Sequence, residues 1–532
     1  MQTGNVVHSL LDRHLEQGHG TLLWTRGDDG EFSYADLYRL TCQAANALRD
    51  AGVGLEDRVV VAMPDSPRYV AIILALWRLG AVPVPLPTVL TETEYRTVAA
   101  DCRPVAAIVA AEHADMWVRV RVGSGWPRLL LVDGPPPSPP GSFSLPERLG
   151  DATEVPITTL SIDDTAVIQY TSGSTGAPKG VVHLHRGLAA VLEGFPTRLR
   201  LTPEDVCFSA AKLSFGYGFG NSLLFPLAAG AATVLLGPAS DPARVLDVVT
   251  RHRPSVLFGV PTLYAAILDA ARERQEIGLA QVRTCVSAGE PLPQALAQRW
   301  RDRFGVDLVN GLGSTECLHV FIASVPGATP PGSAGTLVTG YDAQIRDDEG
   351  RQLGPDETGH LWVQGQANGA RYWNNQPETI STMVGGWNRT GDQARRDASG
   401  VFWFVARSDD VLKIGGLKVA PSEIESCLLQ HADVATCAVV GVPDDQGIVV
   451  LTAYVQPRES AGSEAEVRRR LRTHLAASLA PFKRPREIVL VDELPMTATR
   501  KVARHVLRRQ ARETLAADSH PPAARQAGHD DR

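Results

Sequence analysis

The chain has 532 residues, beyond the length at which a single hydrophobic core keeps growing, so two or more domains are expected. A composition of 44% hydrophobic and 21% charged residues is ordinary for a water-soluble globular protein, and a net charge of -7 gives no support for a nucleic-acid or anionic-membrane partner. The seven cysteines are scattered with no Cys-x-x-Cys pair, so neither a disulfide framework nor a zinc site is indicated; the most apolar run (70–82) is broken by Arg78 and stopped by Pro83, so no membrane span is expected and a reducing cytoplasm is the expected compartment.

In chain order, residues 34–51 are helically periodic, 58–63 form a short apolar run and 67–79 are periodic again, an alternation that predicts α/β layers. Residues 134–142 are a Pro-rich surface excursion. A buried strand is expected over 164–170, followed by Tyr170-Thr-Ser-Gly-Ser-Thr-Gly-Ala-Pro-Lys-Gly180 where that strand hands over to the next element, the edge at which open α/β sheets bind ligands. Gly173, Gly176 and Gly180 free the backbone to aim N–H groups at an anion, while Thr171, Ser172, Ser174, Thr175 and Lys179 add hydroxyls and a charge, the composition of a polyphosphate cradle. The common P-loop is excluded, because it needs Ser or Thr directly after the Lys, and Gly180 stands there. Lys occurs only six times, as residues 179, 212, 413, 418, 483 and 501, which marks these as places where a compact ammonium is wanted in a chain that otherwise uses Arg.

The alternation resumes at 232–236, 242–251, 255–258, 261–274 and 282–287, for which parallel strands with crossover helices are the simplest reading. Over 332–404 short strands and Gly, Asp and Asn turns predict a small β-rich module. Beyond Arg407 the order strand, helix (421–430), strand (435–442), strand (449–456), helix (464–475), strand predicts a separate α+β lobe. The expected organisation is thus a large layered α/β domain over 1–406 with its β-rich module, a small mobile α+β domain over 407–515, and a disordered polar tail over 516–532.

Five motifs fall in one order: the Gly-rich stretch from Tyr170, Asn-Gly-Leu-Gly-Ser-Thr-Glu from Asn310, Arg-Thr-Gly-Asp from Arg389, Arg-Ser-Asp-Asp-Val-Leu-Lys-Ile-Gly-Gly-Leu-Lys-Val from Arg407, and Pro-Met-Thr-Ala-Thr-Arg-Lys-Val from Pro495. With them the chain resembles, over nearly its whole length, the adenylate-forming superfamily of acyl-CoA synthetases, adenylation domains and luciferases; 211–221 and 313–321 look like its benzoate-CoA ligase branch. The resemblance implies two half-reactions, in which a carboxylate attacks the α-phosphorus of ATP to give acyl-AMP and pyrophosphate, and a thiol such as that of coenzyme A then displaces AMP.

It also implies roles. Thr171 and the loop that follows hold the β- and γ-phosphates, and Glu316 is the hard oxygen ligand for Mg²⁺. Ala288, Gly289, Glu290 and Pro291 wrap adenine, with Gly311, Gly313, Ser314 and Thr315 beside the nucleotide; Asp392 accepts the ribose hydroxyls and Arg407 adds a positive fork. Lys501 carries adenylation, Asp409 is the hinge, and Lys413, Gly415, Gly416 and Lys483 line the path of coenzyme A. One departure is Arg500, where the family usually has Gly. Phe215, Tyr217, Gly218, Gly313 and His319 fall where benzoate-CoA ligases line the acid pocket, and Gly216 and Gly218 between aromatics are expected to leave a flat slot for an aryl ring. The same residues also fit transfer to a carrier-protein phosphopantetheine or a nitrogen nucleophile, or a degenerate nucleotide-binding regulator. The expected partner is a small aromatic acid, and the expected assembly a monomer or homodimer.

Overall fold

The computed structural model describes residues 4–135, 139–172, 178–237, 242–271, 279–408, 412–414, 417–443, 449–458, 461–496 and 502–519. Among these, the chain divides into two compact units, Met1–Phe404 and Val405–Arg532. No helix among the described residues is long and apolar enough to cross a membrane.

Among the described residues the first unit carries four sheets: a nine-stranded one, a five-stranded parallel one, a small three-stranded one and that of the β-rich module. In the five-stranded sheet, Val82–Pro85, Arg58–Ala62, Ala106–Ala110, Leu129–Asp133 and Phe143–Ser144 run parallel in that order. The nine-stranded sheet has a parallel centre, Leu308–Gly313, Thr284–Ala288, Val256–Gly259, Val206–Ser209, Ala232–Leu235 and Leu23–Gly27, with antiparallel strands at both ends. Such strands are buried on both faces, which is why their sequences are continuous apolar runs rather than alternating ones. The helix Pro67–Arg78 starts at Ser66, whose side chain accepts from Tyr69 N, and is buried on all sides in the largest core cluster. It even buries Arg78, which pairs with Asp12 and donates to Val155 O at 2.8 Å.

The three-stranded sheet is antiparallel, in the order Arg371–Tyr372, Pro178–Leu184 and Thr165–Ser172. Here the structure departs from the sequence reading. The Gly-rich stretch joins the arms of a β-hairpin, with Thr171 opposite Lys179 and Ser172 opposite Pro178, and is not at the end of a parallel strand. The apolar pattern of the first arm is shared by buried strands of either sense, and its partner Pro178–Leu184 had not been distinguished as a strand. The β-rich module is present as an antiparallel sheet in which Tyr341–Arg346, Thr358–Gly365 and Trp387–Arg396 pair in turn.

In the second unit, Val434–Pro443, Val449–Pro457 and Glu487–Leu490 form a sheet whose alternating side chains face two layers of helix. Val439 and Leu451 pack with Ile424 and Leu428 of helix Pro421–Leu429 and Leu471 of helix Glu464–Ser478, whereas Ala438 and Val440 pack with Leu507 and Ala511 of helix Arg504–Ser519. This last helix enters the stretch expected to be a disordered tail, correcting its start at residue 516; residues 520–532 lie outside the described residues.

One buried acid anchors the loop before the candidate acid pocket. Asp65 Oδ1 accepts from Leu213 N at 3.1 Å, and burial raises its pKa to about 6 against the pull of Lys212 and that hydrogen bond. A folded pKa above the ordinary 3.8 means that ionising Asp65 costs stability progressively as pH rises between those two values, with the full cost above them. Asp65→Asn keeps an acceptor for Leu213 and removes the charge. Its Tm change relative to wild type should therefore be more favourable at about pH 7.5 than at about pH 4 in thermal denaturation; a pH-independent difference would contradict the assignment.

Candidate functional site

The hairpin brings its arm Pro178–Leu184 against Arg371–Tyr372, and Trp373 N donates to Gly180 O at 2.7 Å. That pairing sets Tyr372 beside Lys179, whose ammonium stands 5.8 Å from the ring centroid. Lys179 is only 9% exposed at its side chain and pairs with Glu378 at 2.5 Å. A cation this buried needs a close anionic partner, and the helix Gln376–Thr382 supplies it: Asn375 caps the helix by accepting from Glu378 N, which fixes Glu378 in its first turn. Tyr372 OH donates in turn to Glu316 Oε1 at 2.8 Å. Two carboxylates, one ammonium and one phenol thus meet at the base of the Gly-rich stretch.

Glu316 occupies a short turn, Thr315–Cys317, capped by Ser314, whose side chain accepts from Cys317 N. Its main chain is held as well, since Gly369 N and Asn388 Nδ2 both donate to Glu316 O at 2.7 Å. A carboxylate with one oxygen on a phenol keeps hard lone pairs for a divalent cation, so the donor chemistry fits Mg²⁺ carried in on a polyphosphate.

Immediately after it the chain makes a γ-turn. Leu318 has φ 67° and ψ -43°, and His319 N donates back to Cys317 O at 2.8 Å. This conformation is strained for a residue with a side chain. It delivers His319 into a ring cluster with Phe225, Tyr217 and Phe195, at centroid distances of 4.6, 5.5 and 5.7 Å. Burial lowers the His319 pKa to about 3, so the imidazole is neutral at ordinary pH. Tyr217 OH donates to Val286 O at 3.2 Å, which pins its ring edge-on to Phe258. Gly313 is required by this turn, because a Cβ there would lie 2.7 Å from His319 O.

Gly218 corrects one expectation. A Cβ on it would lie 2.2 Å from Lys212 O and 2.4 Å from Ala211 O, so glycine here lets two backbone segments pack together and leaves no slot. Gly216 faces one side chain and one backbone carbonyl, with Gln169 Oε1 at 3.0 Å and Leu318 O at 3.2 Å from its would-be Cβ. Phe215 is half-buried, and Phe219 is wholly in the core, edge-on to Trp77.

The residues expected around adenine lie on or directly after two paired strands of the nine-stranded sheet, and the expected ribose acid lies in the sheet of the β-rich module. Ser287 and Ala288 close the strand Thr284–Ala288, and Gly289 turns the chain at φ 89° into Glu290 and Pro291. The next strand carries Gly311, whose would-be Cβ meets Ala288 Cβ at 3.3 Å. Asp392 is buried in Trp387–Arg396; its N–H donates to Thr390 Oγ1 at 3.1 Å, after Gly391 at φ 75°. Arg407, Lys413 and Lys483 belong to the second unit, where Lys413 pairs in register with Lys418 and Lys483 Nζ donates to both carboxylate oxygens of Glu423, at 2.5 and 2.7 Å. Gly173, Ser174, Thr175, Gly176, Asp409, Gly415, Gly416 and Lys501 lie outside the described residues, as do the side chains of Ser172 and Lys413. Sequence reasoning missed Tyr372 and Glu378. The signal available for Glu378 was Asn375-Gln-Pro-Glu378, a helix start with an acid in its first turn; nothing local points from Tyr372 to Glu316.

Comparison with known proteins places the chain in a family. Residues 12–373 match the family described as AMP-binding enzyme, and residues 423–501 match the AMP-binding enzyme C-terminal domain. The chain is 36% identical over 507 residues to a 4-hydroxybenzoate–CoA/benzoate–CoA ligase of Rhodopseudomonas palustris, covering 95% of this chain and 94% of that one. It is 36% identical over 511 residues to a benzoate–CoA ligase of Thauera aromatica, covering 95% of each. Among solved structures, the anthranilate CoA ligase AuaEII in complex with anthranoyl-AMP superposes with a TM-score of 0.90 at 34% identity, covering 97% of this chain and 99% of that one. The chain therefore belongs to the AMP-binding enzyme family, within the adenylate-forming superfamily and on its benzoate–CoA ligase branch.

Proposed function

We propose that the chain is an ATP-dependent aryl-acid ligase of the cytoplasm that makes aryl-CoA thioesters. The observation that carries this reading is the single turn from Gly313 to His319. It holds Glu316 on the phenol of Tyr372, whose ring stands beside Lys179, and a neutral His319 among aromatic rings, so a polyphosphate-type site and an uncharged aromatic site share one wall. The relatives that match nearly the whole chain are benzoate and hydroxybenzoate CoA ligases, which supports the same substrate class.

In the first half-reaction a carboxylate oxygen of the acid forms a bond to the α-phosphorus of ATP, and the bond from that phosphorus to the bridging oxygen of pyrophosphate breaks. Thr171, Ser172 and the stretch Gly173 to Gly176 donate to the departing phosphates, and Lys179 exchanges Glu378 for a phosphate oxygen. Glu316 would hold Mg²⁺, which neutralises charge on the phosphates when bound. Lys501 meets the charge that develops between the carboxylate and the α-phosphate, and Asp392 and Arg407 hold the ribose side. The second unit then turns about Asp409 and brings Lys413, Gly415 and Gly416 toward the acyl-AMP. The thiol of CoA loses its proton, its sulfur bonds to the acyl carbon, and AMP leaves with the electron pair of the broken anhydride bond.

Lys501→Ala should reduce acid-dependent pyrophosphate release by about 10²–10³-fold while turnover of preformed aryl-AMP with CoA changes by only about threefold. Equal losses in both steps would contradict the role. Tyr372→Phe removes the hydrogen bond to Glu316 and should raise the KM for Mg·ATP about tenfold, with a much smaller change in the KM for the acid. Unchanged magnesium and ATP dependence in steady-state assays would count against the metal assignment.

A further inference from the structure

Gln169 lies in the arm Thr165–Ser172, two residues before Thr171. Strand alternation puts it on the same face as Val167, which packs in the core cluster that holds Phe219, Phe225 and Leu318, while Ile168 and Tyr170 face the other cluster. The side chain is 2% exposed, and neither its Oε1 nor its Nε2 has a hydrogen-bond partner. Leaving both ends of an amide unpaired at such depth is unfavourable, so the pattern is that of a group whose partner arrives with a ligand.

The surroundings indicate which ligand group. Gln169 Oε1 and Leu318 O lie 3.0 and 3.2 Å from the position a Cβ on Gly216 would take, so the two acceptors are close neighbours on the same side of the Gly216 backbone, where only glycine leaves them uncrowded. The strained γ-turn at Leu318 is followed at once by His319, whose Nδ1 is also buried and unpartnered in the ring cluster with Tyr217. Paired acceptors beside an amide N–H call for a group that donates and can also accept, which a hydroxyl or amino substituent does and a hydrogen atom, halogen or carboxylate does not.

We propose that the buried, unpartnered Gln169 amide beside Gly216 and the Leu318 carbonyl reads a hydroxyl or amino substituent on the aryl ring, so that the chain prefers a hydroxy- or aminobenzoate over unsubstituted benzoate. This rests on the aryl-acid reading above and narrows its substrate. A polar group left unpaired by the wrong substrate discriminates more strongly than a missing methylene does, so a preference of at least about tenfold is expected.

The test is kcat/KM for pyrophosphate release by the full-length protein with benzoate, the three hydroxybenzoates and the three aminobenzoates. The proposal requires at least one substituted acid to exceed benzoate by about tenfold or more, and the ratio to fall by about tenfold in Gln169→Leu and in Gln169→Met. Binding of the matching aryl-sulfamoyl adenosine and its benzoyl counterpart, followed by calorimetry, reads the same ratio in a variant that folds but does not turn over. Benzoate equal to or better than every substituted acid in wild type overturns the proposal, as does a variant that lowers all acids in proportion, which is the result expected if Gln169 serves the carboxylate or the fold alone. Those outcomes leave the aryl-acid reading standing; wild type that releases pyrophosphate with none of these acids removes both.

Discussion

The candidate site depends on one constraint: a lysine almost out of water must have an anion beside it. Lys179 satisfies it with Glu378, and the rest of the arrangement follows from what is needed to bring that acid there. Residues about two hundred positions apart meet because Arg371–Tyr372 adds a strand to the hairpin, and the same pairing places the phenol of Tyr372 on Glu316. The ion pair is costly to break without replacement. An incoming polyphosphate oxygen is the kind of replacement that lets Lys179 release Glu378 without leaving a bare buried charge.

A second constraint joins this polar cluster to the apolar one. The turn through Leu318 takes a conformation that a non-glycine residue adopts at a cost, and the packing around it, including the close approach of Gly313 to His319 O, holds it there. Strain kept in this way shortens the connection between a carboxylate and an aromatic cluster to a few residues. Under the proposed function, that short link keeps the reacting carboxylate of the acid close to the nucleotide phosphates while the ring rests against uncharged side chains.

Much of the architecture was legible in the sequence, because its physical causes are local. The helix Tyr34–Asp50 carries an apolar stripe and a Ser33–Asp36 capping box, and the parallel strands Ala232–Leu235, Val256–Gly259 and Thr284–Ala288 are short apolar runs separated by helical periods. What was not legible arises from contacts distant in sequence. The second arm of the hairpin is indistinguishable by pattern from the start of a crossover, Gly218 is small because two carbonyls press on it and not to make room for a ligand, and Tyr372 and Glu378 acquire their meaning only from neighbours far along the chain. Gln169 belongs with these: a polar residue in an apolar strand is visible in the sequence, but its lack of a partner is visible only once its surroundings are built.

The central claim is that the hairpin and its two flanking carboxylates receive the phosphates of ATP. A crystal structure of the protein with magnesium and a non-hydrolysable ATP analogue tests it most directly. The account predicts phosphate oxygens within hydrogen-bonding distance of Lys179 Nζ, Glu378 released from that lysine, and the metal on Glu316. A triphosphate bound away from residues 171–180, with Lys179 still on Glu378, would contradict it.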